Sequence, residues 1–142
     1  MIFIAKHVLR NAVITVDGTN ISDHTSSVTI EDSADEVEFT SFGAGYREFG
    51  QGLKDATITA TVFNDYAASS IDSVLAPLYA SGGTFDVTVK AFNSTVSGTN
   101  PLYTLTSRLY SYSPISGAVG EANTTDLTFR NAGTAGLTRG TS

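Results

Sequence analysis

The chain contains no cysteine and no tryptophan, one methionine, three prolines and only eight lysines and arginines in 142 residues. Without cysteine there is no disulfide, no thiolate metal centre and no cysteine nucleophile, and the absence fits synthesis in a reducing compartment. Two histidines, His7 and His24, leave little for a zinc site. No stretch approaches the ~20 consecutive apolar residues of a membrane span. Met1–Arg10 has a few apolar residues ahead of Lys6, His7 and Arg10, too short and wrongly ordered for a signal peptide. Fourteen acids against so few bases give a net charge of −6. A surface of that sign repels phosphate, which argues against specific nucleic-acid binding.

What remains is a chain rich in threonine, serine and glycine, long enough for one domain with one real core. Its apolar residues alternate with period two. Ala12–Ser22 is a hairpin with Asp17-Gly18 at the turn, which sets Ile14 opposite Ile21. Val28–Thr40 is expected to be a second hairpin, with its turn at Asp32–Asp35, Ile30 opposite Val37 and Val28 opposite Phe39. That register also sets Glu31 against Glu36, a like-charge pair that weakens a sheet. Lys54–Phe63 alternates over ten residues and predicts a strand. Thr84–Ala91, Leu102–Tyr112 (with a bulge near Ser107) and Thr124–Arg130 are further strands. One helix is predicted from Ile71, Val74, Leu75, Leu78 and Tyr79, which form a single stripe. Ser69 and Asp72 would cap it, Pro77 would weaken its later turns, and Gly82-Gly83 would end it. There is no internal repeat. The reading is a mainly β protein, a β-sandwich or barrel-like module with one flanking α-helix and a long inter-strand loop. It comprises a β domain over residues 1–130 and a flexible C-terminal tail over residues 131–142.

No constellation points to catalysis. Ser22, Asp23 and His24 carry the letters of a hydrolase triad, but they are adjacent in sequence, whereas a triad converges from separate segments. Asp32, Asp35 and Glu36 lack the alternating acids and central glycine of a calcium loop. Gly43-Ala44-Gly45 opens like a dinucleotide fingerprint, yet Glu48 stands where the third glycine belongs and the segment joins two strands. Asn93 and Asn123 fit glycosylation acceptors only as chance matches in a threonine-rich chain. No metal and no cofactor is expected.

The informative segment is Ser41–Gly52, a twelve-residue connection with four glycines that also carries Phe42, Tyr46, Arg47, Glu48 and Phe49. Hairpin connections are usually two to five residues, and aromatic residues and arginine are the types enriched at interfaces. The loop reads as a docking arm covered by another copy of the protein. Just before it, Glu31, Asp32, Asp35, Glu36 and Glu38 place five of the fourteen acids within eight positions.

In order and spacing the stretches VLRNAVITVDGTNISDHTSSVTIE, DEVEFTSFGAGYREFGQGLKDATITATVF, IDSVLAPLYASGGTFDVTVK and YSYSPISGAVGEANTTDLTF resemble the tail tube (major tail) proteins of long-tailed bacteriophages, over nearly the whole chain to about Arg130. The resemblance implies a structural, non-enzymatic virion protein of the phage tail, assembled in the host bacterial cytoplasm. Hexameric rings stack into a hollow tube, and inner strands of six subunits join into one β-barrel around the lumen. A long early loop reaches the adjacent ring; Ser41–Gly52 matches it. The implied partners are the protein itself and other tail proteins such as tape measure, terminator and tail-tip proteins, with no membrane. DNA passes through a negatively lined conduit without specific binding, and Glu31, Glu36 and Glu38 are the candidate lumen acids. The short carboxyl-terminal segment implies no immunoglobulin-like decoration. Six copies of a chain of charge −6 would carry about 36 negative charges per ring, screened over ~8 Å at physiological salt. The alternatives are a non-polymerising head–tail joining or capsid-decorating protein, and a small secreted carbohydrate-binding β-module.

Overall fold

The structure is a computed structural model that describes residues 6–142; the first five residues of the Met1–Arg10 stretch lie outside them. Its frame is one antiparallel sheet. Strands β1 (Val13–Val16) and β2 (Thr19–Asn20) form the first hairpin. After a 3₁₀ turn at Ser22–His24 come β3 (Thr25–Glu38) and β4 (Phe49–Phe63), then helix α1 (Ile71–Ser81). Strands β5 (Phe85–Lys90), β6 (Leu102–Leu109), β7 (Thr124–Asn131) and β8 (Thr138–Gly140) complete the chain. The order across the sheet is β2-β1-β5-β6-β7-β4-β3, with β8 also paired to β6.

Alternation puts the apolar side chains of five strands on one face. Ile14 and Val16, Ile58 and Val62, Val87, Leu105, Leu127 and Phe129 are all buried there, and α1 adds Ile71 and Leu75. The sheet curls enough that Val28 and Ile30 of β3 reach the same core. The opposite face is paved with threonine. Thr29, Thr59 and Thr128 stand side by side across β3, β4 and β7, and Thr104, Thr88 and Thr15 across β6, β5 and β1. β-branched hydroxyl side chains suit a strand that has one wet face.

The first hairpin is as expected. Asp17 (φ 48°) and Gly18 (φ 82°) both take the left-handed conformation of a tight hairpin turn, and the Ile21 N–H donates to the Ile14 carbonyl at 3.0 Å. The helix also forms where its stripe predicts, but its start differs. Ser70 at the N-cap makes no side-chain cap bond. Asp65 anchors the start from outside the helix: its carboxylate accepts from the Ala67 N–H (3.0 Å) and Ser70 Oγ (2.9 Å), and its carbonyl from the Asp72 N–H (2.9 Å). Hydrogen bonds to the carboxylate, the Ala67 amide first, hold the Asp65 carboxyl below the usual carboxylate range. Pro77 does not break the helix, which runs on to Ser81; Leu78 packs on the core, and its carbonyl accepts from the Gly82 N–H.

The second expected hairpin does not exist. β3 passes straight through Asp32–Asp35 and pairs along its length with β4, so that Ile30 lies opposite Ile58, Val28 opposite Ala60 and Glu31 opposite Thr57. This register buries two apolar pairs on the core face and removes the Glu31–Glu36 opposition, so tertiary pairing overrides turn-like composition. Residues Phe49 to Gly52, expected in the loop, belong to β4. β6 is regular at Ser107, where a bulge is expected; Ser107 lies opposite both Phe85 and Asn131. The segment beyond Arg130, expected as a flexible tail, includes a strand: β8 pairs Thr138 with Thr104 and Gly140 with Leu102, resuming β7's row along β6, and Leu137 packs against the core.

Tyr112, just past β6, donates its hydroxyl to Asp72 Oδ1 at 2.6 Å and ties the end of the strand to the helix. Burial, and after it this bond, raises the Tyr112 phenol above its ordinary value of 10.0. A folded-state value above the unfolded one stabilises fully below the ordinary value and loses that stability as pH rises past it. Thermal melts should therefore fall between about pH 9 and 12 more steeply for the parent than for Tyr112→Phe; parallel curves would refute the link.

Candidate assembly interface

Beyond Asp32 and Ala56, β3 and β4 leave the body of the protein as a two-stranded arm. Some six or seven residues a strand at ~3.3 Å each make it on the order of 20 Å long. It has no core beneath it: from Glu31 to Phe49 every side chain is exposed. At its end the Phe39 N–H donates to the Glu48 carbonyl (2.8 Å) and the Glu48 N–H to Thr40 Oγ1 (3.0 Å), closing the loop 40–48. Phe42 and Tyr46 point into water with relative exposures of 108% and 91%. Phe39, Phe49 and Leu53 are exposed alongside them. Arg47 reaches only a weak ion pair, with Nε 3.8 Å from Glu38 Oε1. Thus Phe42, Tyr46, Arg47, Glu48 and Phe49 do gather at one end of the molecule, unburied by their own chain.

A bulge sets the faces of the arm. Between the pairs Ala34–Lys54 and Glu36–Gln51, two residues of β4, Gly52 and Leu53, oppose the single Asp35. The two glycines on this strand are seats. A Cβ on Gly50 would come within 2.6 Å of the Phe39 ring, and one on Gly52 within 2.8 Å of a Val37 methyl. Phe39 and Val37 therefore lie flat on one face of the arm. Gly50→Ala is expected to leave the melting temperature of the subunit unchanged, because the exposed Phe39 ring can swing aside, and to weaken association severalfold in sedimentation. Association equal to the parent's would mean that the ring's position is irrelevant.

The same alternation divides the candidate lumen acids. Glu31 follows Thr29 on the threonine face, whereas Glu36 and Glu38 stand on the other face, opposite Gln51 and Phe49. Near Glu31 the threonine face also carries bases: Arg130 lies opposite both Thr57 and Arg108, and its Nη2 pairs with Asp55 Oδ2 at 3.0 Å.

Ser22, Asp23 and His24 do not converge. Ser22 Oγ bonds Asn20 Oδ1 (2.6 Å), and His24 Nε2 lies 2.9 Å from Asp65 Oδ2, far along the chain. Among the described residues no group of three or more His, Asp or Glu side chains could hold a metal ion, and no helix is long and apolar enough to cross a membrane.

A second exposed apolar cluster was not singled out from sequence. The connection from β6 to β7 is built on Asn123, whose Oδ1 accepts from Asn64 Nδ2 (2.9 Å) and the Ser116 N–H (2.7 Å) while its Nδ2 donates to the Tyr66 hydroxyl (2.8 Å). Tyr66 in turn donates to the Pro114 carbonyl. This pinned loop nevertheless exposes Ile115 (81%) and Val119 (106%), and Phe63, Tyr66 and Tyr110 are exposed beside it. The signal was the same as at the arm, apolar residues in a glycine-punctuated connection.

The fold and the arm together define a class: a one-sheet β module with a flanking helix and a projecting aromatic hairpin. Solved structures share that fold. A chain from the virion of a native gene transfer agent particle matches with a TM-score of 0.71 and 17% identity over 91% of this chain and 95% of that one. A chain from the tail of an empty gene transfer agent particle of C6 symmetry matches with 0.65 and 19% over 84% and 83%. A chain from the sheath/tube terminator of an extracellular contractile injection system, PVC, in its extended state matches with 0.73 and 14% over 95% and 96%. No protein-family model and no curated protein matches the sequence.

Proposed function

We propose that the chain is a structural virion protein that self-assembles into stacked rings of six, forming the tail tube through which DNA is ejected. The observation that carries this reading is the arm: a projecting hairpin with Phe42 and Tyr46 almost wholly in water. Its apolar surface needs a partner. Fold likeness to a tail chain of C6 symmetry favours identical copies and six-fold rings. No catalytic step is assigned, since Ser22 and His24 are each committed to other partners. The protein's other contacts in this reading are tail proteins that start, measure and end the tube, and its place is the phage tail. DNA slides past a wall that offers it no specific site. If the threonine face forms that wall, Glu31 stands on it with Asp86 and Asp126, and Glu36 and Glu38 turn toward neighbouring subunits.

Concentrated purified protein should form rings or tubes in negative-stain images, with a sedimentation coefficient that climbs with concentration. Monomers at every concentration, with the arm folded back on its own sheet, would refute self-assembly. The likeness to a terminator chain favours one second reading, a joining or terminating ring that does not elongate. Rings of fixed size that never lengthen as concentration rises would select it.

A further inference from the structure

We propose that the β6–β7 connection, residues 110–123, is the surface that receives the arm of a second copy. This rests on the self-assembly reading and names the half of the contact that it leaves open. These exposed apolar clusters sit at opposite ends of one strand: Phe49 begins β4 next to the arm tip, and Phe63 ends it next to Tyr66 and the 110–123 loop. Roughly 45 Å of strand contour separates them, at ~3.3 Å per residue. No single subunit can therefore cover one with the other.

A head-to-tail contact between copies covers both at once. An arm-to-arm contact would leave Ile115 and Val119 in water. The two patches differ in kind, so the contact is heterologous; unlike an isologous contact, which closes on a pair, it passes from copy to copy as a ring or a filament. Size fits as well. Phe39 and Phe49 lie on opposite faces of the arm, so an arm inserted into the contact covers both; with Phe42, Tyr46 and Leu53 they meet Phe63, Tyr66, Ile115 and Val119, on the order of 1,000 Å² of buried surface, the threshold for a specific interface. Rigidity adds to the argument. Asn123, Asn64 and Tyr66 hold the loop in one shape, and a preordered surface loses little entropy on binding.

The absence of native cysteine makes the test direct. A44C and A118C, exposed loop positions beside the Phe42 and Val119 anchors, are made as single variants and as one double variant, assembled, and oxidised. Equal mixing of the single variants should give a disulfide-linked dimer that joins position 44 of one copy to position 118 of the other, identified by mass spectrometry of the linked peptides. The double variant should give a ladder of multimers. Val119→Asp, whose side chain is fully exposed in the subunit, should raise the concentration needed for assembly at least tenfold without moving the melting temperature. Polymers that form with no such cross-link, or a Val119→Asp protein that assembles like the parent, would overturn the receiving loop and leave self-assembly standing. Parent protein that neither assembles nor cross-links would overturn both.

Discussion

Replacing Phe42 and Tyr46 together by serine is expected to abolish the polymer and leave the subunit intact. Both side chains are almost fully exposed and touch none of the core. Substitutions at such positions usually change folding stability by less than about 0.5 kcal/mol. In an interface, buried aromatic anchors are each worth about 2 kcal/mol or more. Losing two of them lowers an association constant on the order of a thousandfold. The check is paired: sedimentation velocity across a hundredfold concentration range, and calorimetric melting of the same sample. A double variant that assembles at the parent's concentration would remove the arm from the contact. One that melts well below the parent would show that the arm serves the fold instead.

Phe129→Ala should do the reverse. Phe129 is fully buried in β7, opposite Ile58 and Leu109, with its ring edge-on to Phe85 at 5.8 Å between centroids. Truncating a buried phenylalanine costs about 3–5 kcal/mol, against a total stability of about 5–15 kcal/mol for a typical domain. The melting temperature should drop by roughly 10 °C or more, and assembly should fail because folded subunits become scarce. A drop below about 3 °C would mean that the site collapses around the lost ring, and that the face shared by β4, β6 and β7 is not the tightly packed centre described here. Together the two variants separate the side chains that make the subunit from those that join one subunit to the next.

Much of this division was legible in the residues. Val-Asp-Gly-Thr specified its own turn, because Asp17 and Gly18 accept left-handed backbone. The stripe from Ile71 to Leu78 specified a helix, and the alternation after Lys54 specified a strand, because one apolar face must meet a core. The aromatic loop announced itself for the same reason in reverse, since it had no pattern that could bury it. No turn forms at Asp32–Asp35, because β4 lies opposite and supplies backbone partners that local composition does not show. The strand at Thr138–Gly140 has the same origin, since nothing within those residues shows that an edge of β6 is waiting for them. The exposed loop around Ile115 and Val119 carries the same signal as the arm, apolar residues in a glycine-punctuated connection.

Periodicity, turn chemistry and charge are properties of neighbouring residues, and the chain by itself settled them: a β-rich module with one helix, an acidic stretch and an aromatic connection. Which strand pairs with which, on which face each acid falls, and how far the arm stands off the body depend on residues distant in sequence. Those were decided only when β4 took β3 as its partner, because a β-strand's backbone bonds are made between segments and carry no address within one.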